Sequence, residues 1–526
     1  MSNSWLGELN GVSLTTTALP LLDTTPIVVN TAFPARPSGL RAGQTLTLQD
    51  GGQLRNFEAA DATLNIEGGE LFRVSSVIRS RVNISGGTVG ANFDGLYAFD
   101  SSVVNISEGT VARLDTFDSV AVISGGTVDL FRAHAGSDVN ISGGNVDLIA
   151  NSGSRVNING GSLGFRSVAG AGGQVDISGG SLGSGFQALS GSDVELFGGE
   201  FSLNGAPFTD LTITLNEGDV FSGTLADGSA FIFSSEVNEF GESNDELSGV
   251  RLTSAALPLL DTTPIVVNTA FPDRPSGLRA GQTLTLQDGG QLGDHFESVG
   301  ATLNIDGGNL GSGAGFLQST VNITGGNVDN FAAHTGSVVN ISGGNVGPFS
   351  LANSGSVVNI SGGSVGSLFH ANTGSAVNIS GGTLPFNFRV LAGSEFNLFG
   401  SDFTIDGVPI DGLAVGDTLT IEDRGVFLSG LLADGSEFGF RLGVFGFFED
   451  GFFDPNATIT VTLGSPVPEI TLGDVNRDGV VNFLDITPFI ESLPTTAPFI
   501  AEADCNQDGI VDFFDISAFV VILAGG

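Results

Sequence analysis

The chain has 526 residues, a formal net charge of −40, and 17 basic residues, all of which are arginine. Such acidity argues against nucleic acid and anionic membranes as partners, because both need clustered cations, and it favours divalent cations. The single cysteine, Cys505, excludes an internal disulfide framework. No apolar run is long enough to span a bilayer.

A long stretch near the N-terminus is duplicated. Residues 18–53 recur at 256–291 with one difference, Ala35 against Asp273, at an offset of 238 residues. The duplication predicts two tandem modules of the same fold.

Inside each module runs a shorter repeat with the core Val-Asn-Ile-Ser-Gly-Gly, mostly at intervals of 17 to 19 residues. Its apolar and polar residues alternate, which predicts strands, and its glycine content is too high for helices. The apolar residue that marks each repeat falls at Ile66, Ile84, Ile106, Ile123, Ile141, Ile158, Ile177 and Leu196, and again at Ile305, Ile323, Ile341, Ile360, Ile379 and Leu398.

Strands this short cannot form a core singly, but stacked coils can. We therefore predict an all-β chain with two tandem parallel β-helix modules and a small α-helical calcium-binding domain. A right-handed helix is favoured, because a left-handed one should show a six-residue repeat. The predicted boundaries are 1–245 for the first module (N-terminal cap 12–60, coils 61–200, C-terminal cap 201–233, linker 234–249), 246–466 for the second and 467–526 for the last domain.

The repeat also predicts two ladders. Phenylalanines are expected to stack inside the coils at Phe131, Phe331, Phe349 and Phe369. Asparagines are expected to form an outward ladder, which favours stability, at Asn83, Asn105, Asn140, Asn157, Asn322, Asn340, Asn359 and Asn378.

Two groups of side chains on the coils are candidates for a catalytic or metal-binding role. Asp129 and Asp147 occupy the same repeat position, so they should stack as a carboxylate pair of the kind a glycosidase needs. His134 and His334 share a position with Asn151, Asn353 and Asn372 on other coils, a mixture that indicates a turn tolerating positive φ. Neither pattern identifies a catalytic residue, and the ordinary interpretation of both is a solvated turn.

The C-terminal tail carries two twelve-residue segments, 474–485 and 504–515. Each has oxygen-bearing side chains at positions 1, 3, 5, 9 and 12 and glycine at position 6, and each precedes an apolar helical run. That spacing is typical of a calcium loop, and it predicts two Ca²⁺ ions. The predicted ligands are Asp474, Asn476, Asp478, Asn482 and Asp485, then Asp504, Asn506, Asp508, Asp512 and Asp515, with the backbone carbonyls of Val480 and Ile510.

Over residues 470–523 these loops resemble type I dockerins, which attach secreted proteins to cohesin partners. With its coils, the chain is similar to dockerin-bearing repeat proteins of planctomycete bacteria. The resemblance implies a cohesin-like or other cell-envelope partner and an extracellular or cell-surface location. Cellulosomal dockerins commonly carry small hydroxylated residues at loop positions 10 and 11, whereas this chain has Phe483 and Leu484, then Phe513 and Phe514.

No signal peptide opens the sequence, because residues 1–5 lack a basic region and the first arginine is Arg36. The apolar stretch 18–30 recurs in mid-chain at 256–268, so it belongs to the fold. We expect either that a leader is missing from this sequence or that its start is misassigned.

The sequence thus predicts a secreted or surface-displayed β-solenoid scaffold or adhesion protein, anchored through a calcium-dependent tail. One alternative is a polysaccharide-acting β-helix enzyme that carries a dockerin. Another is the subunit of an extracellular filament, joined head to tail by self-association of the β-helix ends. Binding of an extracellular glycan also stays open.

Overall fold

A computed structural model gives the fold of most of the chain. The residues that it describes are 22–32, 37–91, 94–164, 167–183, 185–235, 246–270, 275, 277–443, 451–464, 472–473, 475–476, 480–493, 503–506 and 511–524.

The first half of the chain contains 25 short strands that form one continuous sheet. In chain order they are β1 Ile27–Val29, β2 Gly39–Leu40, β3 Thr45–Leu48, β4 Gln53–Arg55, β5 Glu58–Ala60, β6 Thr63–Ile66, β7 Glu70–Phe72, β8 Ser75–Ile78, β9 Arg81–Val89, β10 Leu96–Phe99, β11 Val103–Val111, β12 Leu114–Phe117, β13 Val120–Ala133, β14 Asp138–Ala150, β15 Arg155–Leu163, β16 Val168–Ala169, β17 Gln174–Leu182, β18 Gln187–Ala188, β19 Asp193–Leu203, β20 Ala206–Pro207, β21 Thr212–Ile213, β22 Val220–Leu225, β23 Ala230–Ser234, β24 Glu246–Leu247 and β25 Val250–Ser254.

The second half repeats the pattern in sheets of 17 and 8 strands and ends in short helices. Its elements are β26 Ile265–Val267, β27 Gly277–Leu278, β28 Thr283–Leu286, β29 Gln291–Leu292, β30 Glu297–Val299, β31 Thr302–Ile305, β32 Asn309–Leu310, β33 Ala314–Leu317, β34 Thr320–Ile323, β35 Asn327–Val328, β36 Phe331–Ala333, β37 Val338–Ile341, β38 Asn345–Val346, β39 Leu351–Ala352, β40 Val357–Val365, β41 His370–Ala371, β42 Ala376–Thr383, β43 Arg389–Val390, β44 Glu395–Ile405, β45 Val408–Pro409, β46 Thr418–Thr420, β47 Phe427–Leu432, β48 Glu437–Arg441, β49 Phe452–Phe453, β50 Thr458–Leu463, a 3₁₀ turn Phe483–Asp485, α1 Ile486–Ser492 and α2 Asp515–Leu523.

The strands of successive coils pair in parallel, one repeat to a coil. Equivalent isoleucines lie opposite each other, as Ile66 does to Ile84 in the first module and Ile341 to Ile360 in the second. Because the side chains of a strand alternate between its two faces, this register turns every such isoleucine inward, where it is buried. The predicted fold class, a nearly all-β chain of parallel β-helix coils with a small helical tail, is confirmed; its right-handed winding stays a prediction.

The interior phenylalanine ladder is partly as predicted. Phe131, Phe331 and Phe369 are buried, but Phe349 is exposed, and its predicted interior position is wrong. Phe349 follows Pro348 in a turn and has a φ of 65°, and the strand register places Ser350 between Phe331 and Phe369 instead. The small Ser350 leaves room for the two rings to meet edge to face, with centroids 6.2 Å apart.

The outward asparagine ladder is confirmed by side-chain amide hydrogen bonds from coil to coil. In the second module the ladder is continuous from Asn304 to Asn397, with donor–acceptor distances of 2.8 to 2.9 Å. In the first module Val122 lies between Asn105 and Asn140, so the ladder forms two separate runs.

Each module is closed by a strand that comes after its antiparallel hairpin. In the first module β25 pairs in parallel with β19, and in the second β50 pairs in parallel with β44. The strands β24 and β25 thus complete the coils of the first module, although they lie beyond residue 245, its predicted end. Likewise, β1 and β3 lie in the predicted cap 12–60, yet they pair as coil strands, since their Thr-Leu alternation fits the same ladder.

Candidate calcium-binding tail

Both calcium-loop sequences of the tail lead into helices, as their apolar runs predict. The first loop ends in the 3₁₀ turn Phe483–Asp485 and α1, and the second leads into α2. The two helices pack through the rings of Phe489 and Phe519, which stack with centroids 4.0 Å apart and planes 2° from parallel. The two loop–helix units therefore share one small core.

The carboxylates at position 12 of the two loops have the same environment. Asp485 accepts hydrogen bonds from the backbone amides of Asn476 at 3.0 Å and Asn482 at 2.8 Å. Asp515 accepts the same two bonds, from Asn506 at 3.0 Å and Asp512 at 2.8 Å. Both carboxylates are fully buried. Each binds the backbone amides at positions 3 and 9 of its loop and so holds these two parts of the loop together.

The residues at position 9 bind backbone amides shortly before the helices, and Asn482 is the N-cap of the 3₁₀ turn. Asn482 Oδ1 accepts from the amide of Leu484, and Asp512 Oδ1 accepts from the amide of Phe514, both at 2.7 Å. Asn482 also donates from Nδ2 to the carbonyl of Val480 at 3.0 Å. A side-chain oxygen that accepts from an amide two residues later is the usual N-terminal cap of a helical turn, and in the first loop Asn482 also holds positions 7 and 9 together.

Eight of the twelve predicted ligand residues lie in the part of the chain that the structure describes. Asp474, Asp478, Asp508 and Ile510 lie outside it. Among the described residues, no group of three or more His, Cys, Asp or Glu side chains is placed to hold a metal ion. Asn476 and Asn482 are instead brought together by their bonds to Asp485, and Asn506 and Asp512 by the equivalent bonds to Asp515.

The electrostatics of the described tail residues fit a cation. Asp485 and Asp515 are buried, and the bonds that they accept from described residues come from backbone amides. A buried carboxylate is expensive without a counter-charge, and a loop rich in carboxylate, amide and carbonyl oxygens provides the ligands that Ca²⁺ takes. The donor set therefore suits calcium.

Cys505 is a packing residue of the tail. It is buried in the same cluster as Val475, Phe489, Ala503 and Phe519. Burial, with Asp515 and Asp504 nearby, raises the pKa of the Cys505 thiol to about 11, so the thiol is protonated at neutral pH and is a poor nucleophile.

Among the exposed large apolar side chains of the described tail, four are exposed the most. Phe483, Leu484, Phe513 and Phe514 are each between 69 and 81% exposed, and they occupy positions 10 and 11 of the two loops. Exposed apolar groups of this size mark interaction surfaces. We call these four residues the apolar pairs.

The structure describes the candidate catalytic or metal-binding residues on the coils. Asp129 and Asp147 follow the paired Val128 and Val146 on adjacent coils and lie on the outer side, but the strand register shifts by one residue directly after that pair. His134 lies between Phe117 and Asn151. The positive φ predicted for the His and Asn turns falls on glycine two residues later, as at Gly136.

A network around Asp115 was missed by sequence reasoning. Buried Asp115 accepts from Arg113 Nε at 2.5 Å and lies 3.0 Å from His134 Nε2, and Arg113 lies over the ring of Tyr97. Hydrogen bonds from His134 and Arg113 keep the pKa of Asp115 low against its burial. Asp115 does not occupy a repeated position of the motif. Only the register of the coils shows that it lies beside Arg113 and His134.

The tail matches a known protein family. The family model of the dockerin type I domain matches residues 472–520. No curated protein and no solved structure matches the chain significantly. The chain therefore joins a β-solenoid to a dockerin type I domain, a class of module that binds calcium and typically binds cohesins. No helix of the described residues is long and apolar enough to cross a membrane.

Proposed function

We propose that this protein is an extracellular or cell-surface scaffold, whose two β-helix modules are rigid spacers and whose dockerin tail attaches them to a partner when calcium binds. The observation that carries the proposal is the matched pair of loops, in which Asp485 and Asp515 are buried and hold equivalent amides.

The tail binds two Ca²⁺ ions, one to a loop. Asp485 and Asn482 contribute to the first site, with Asn476 and the carbonyl of Val480. Asp515, Asp512, Asn506 and Asp504 contribute to the second. The remaining proposed ligands are Asp474, Asp478, Asp508 and Ile510. Calcium supplies the positive charge that offsets the buried carboxylates, so binding of metal is coupled to folding of the tail.

The apolar pairs form the docking surface for the partner. Each pair immediately precedes its position-12 carboxylate, so calcium that orders the loop also fixes the pair. The partner is a cohesin-like or other cell-envelope protein with an apolar face, because four exposed large apolar side chains need apolar surface to be covered.

Capture of extracellular and envelope proteins by the full chain tests this proposal. We expect one partner to bind in calcium and to be lost in chelator or when Phe513 and Phe514 are both changed to Asp. The variant Val520→Asp, at an exposed site on α2, is the matched control and should retain the partner. A captured set that is unchanged by chelator contradicts docking through the tail.

A second candidate function, glycoside hydrolysis, rests on Asp129 and Asp147. Adjacent strands of a sheet are about 4.8 Å apart, so carboxylates on neighbouring coils can approach the roughly 5 Å separation that retaining glycosidases use. The pair is absent from the second module, where Gly347 follows Asp329. Reducing ends released from pectin, alginate or xylan, and abolished by Asp129→Asn with Asp147→Asn, would favour the enzyme over the scaffold.

A further inference from the structure

The two β-helix modules contact each other through an apolar patch. Val220 and Ile232, on the β22–β23 hairpin that ends the first module, pack against Leu317 and Val299 of the second module. Val220, Ile232 and Leu317 are at most 3% exposed. The hairpin of one module thus covers the outward face of the first coils of the next.

Polar contacts flank this patch. Arg279 of the second module is buried and donates to Glu200 of the first, with Nη2 to Oε1 at 2.8 Å and Nε to Oε2 at 3.3 Å. Gly205 of the first module lies against the side chain of Gln318, and Ser181 Oγ donates to the carbonyl of His295. A two-bond Arg–carboxylate pair fixes orientation as well as contact.

Because the modules are duplicates, the first module carries its own copy of the face that the hairpin covers. Its residues are Arg41, which corresponds to Arg279, Ala60, which corresponds to Val299, and Ile78, which corresponds to Leu317. All three are exposed, and Ile78 is 38% exposed where Leu317 is fully buried. We call these three residues the head face.

The second module carries a copy of the covering hairpin. Asp402 corresponds to Glu200, and both have positive φ, 52° and 55°. Phe427 corresponds to Val220, as the pairing of β44 with β47 shows, but it is 44% exposed. Its ring lies over Gly439, at the position of Ile232, so one phenylalanine presents the apolar surface that two residues present in the first module. We call Asp402 and Phe427 the hairpin face.

We propose that the head face of one chain binds the hairpin face of a second copy, in the arrangement that joins the two modules within a chain. The head face offers an arginine beside apolar surface, and the hairpin face offers a carboxylate beside apolar surface. Both the charges and the apolar groups therefore correspond to those of the internal interface. Repetition of one such heterologous contact builds a linear array of rods. The contact needs neither calcium nor the tail.

Sedimentation velocity of the full chain in chelator tests the contact apart from any docking by the tail. We expect association that grows with concentration. Arg41→Glu and Asp402→Arg should each weaken association at least roughly tenfold, because like charges then face each other. The double variant Arg41→Glu with Asp402→Arg should restore association, since the pair is exchanged. Phe427→Asp should weaken association as well.

Control variants separate a specific effect on the contact from a general effect of charge or misfolding. Arg155 is an exposed arginine of β15, away from both faces, and Arg155→Glu should leave association unchanged. Circular dichroism should show that each variant keeps its strands, which is expected because the substituted side chains are exposed. A chain that stays monomeric at every concentration, or association unaffected by both charge reversals, would overturn the proposal.

Discussion

The β-helix modules and the tail reach stability by different routes. Each coil of a module buries its own valine, isoleucine or leucine against the coils on both sides, and the interior clusters run the length of each module. The tail buries only a small cluster around Phe489 and Phe519, beside the two buried carboxylates of Asp485 and Asp515. We therefore expect the modules to keep their strands in chelator, whereas we propose that the tail folds only when a cation offsets its charge.

The largest effect is expected from a charge inside the coils. Ile341 is fully buried between Ile323 and Ile360. Ile341→Asp should cost at least about 3 kcal/mol, because an unpaired buried carboxylate loses its hydration without compensation. Chemical denaturation followed by circular dichroism should show early loss of second-module strands, with or without calcium.

The control for that experiment is the next residue. Ser342 points outward on the same coil, so Ser342→Asp should have little effect on the unfolding midpoint. If Ile341→Asp is tolerated as well as Ser342→Asp, the stacked interior is refuted.

A smaller, local effect is expected in the tail. Asp485→Ala removes the carboxylate that binds the amides of Asn476 and Asn482. Calcium stoichiometry should fall from two ions to one, while the second loop keeps its site. Calorimetric titration measures this directly, and Glu491→Ala on α1 is the control. A variant that still binds two ions would remove Asp485 from the ligand set.

The acid response should involve His370 of the second module. Removal from water lowers the pKa of this half-buried imidazole from 6.5 to about 4. The unfolded chain therefore binds a proton that the folded chain does not as the pH falls from about 6.5 to 4. Stability is lost over that window, by at most about 1.4 kcal/mol per pH unit.

His370→Leu separates this contribution from other titrations. Leucine already occupies the equivalent site on the preceding coil, at Leu351. The variant should lose less stability between pH 6.5 and pH 4 than the unaltered chain, as measured by denaturation at each pH. Equal pH dependence would show that His370 titrates normally.

The smallest effect should distinguish the two asparagine ladders. Asn340 donates to Asn322 and accepts from Asn359, whereas Asn140, at the end of its run, accepts from Asn157. Asn340→Ala should therefore cost about 1–2 kcal/mol and Asn140→Ala about half as much. Equal costs in denaturant unfolding would show that the continuous ladder adds nothing.

The repeating residues predicted the modules well, because a period of 17 to 19 residues with inward isoleucines leaves one register for the coils. The same logic placed the asparagine ladder. It misplaced Phe349, because the interior position comes nine residues after Ile341, at Ser350, but eight residues after Ile323, at Phe331. The network around Asp115 and the contact of Arg279 with Glu200 join residues that share no motif, so no pattern in the sequence could reveal them.

The loops of the tail were the most specific signal in the sequence. Their spacing predicted that Asp485 and Asp515 are equivalent, as their hydrogen bonds are, and the binding of calcium by both stays a prediction. The helices that follow were predicted from apolar runs. The exposure of the apolar pairs could not be predicted from a run such as Phe-Leu or Phe-Phe, which more often marks a core.

The most direct test is calorimetric titration of the full chain with calcium, combined with circular dichroism before and after chelation. We expect two bound ions, a gain of helix on binding and an unchanged β signal from the modules. Absence of binding at millimolar calcium, or a tail whose helix content is the same in chelator, would contradict calcium-coupled folding and with it the proposed docking.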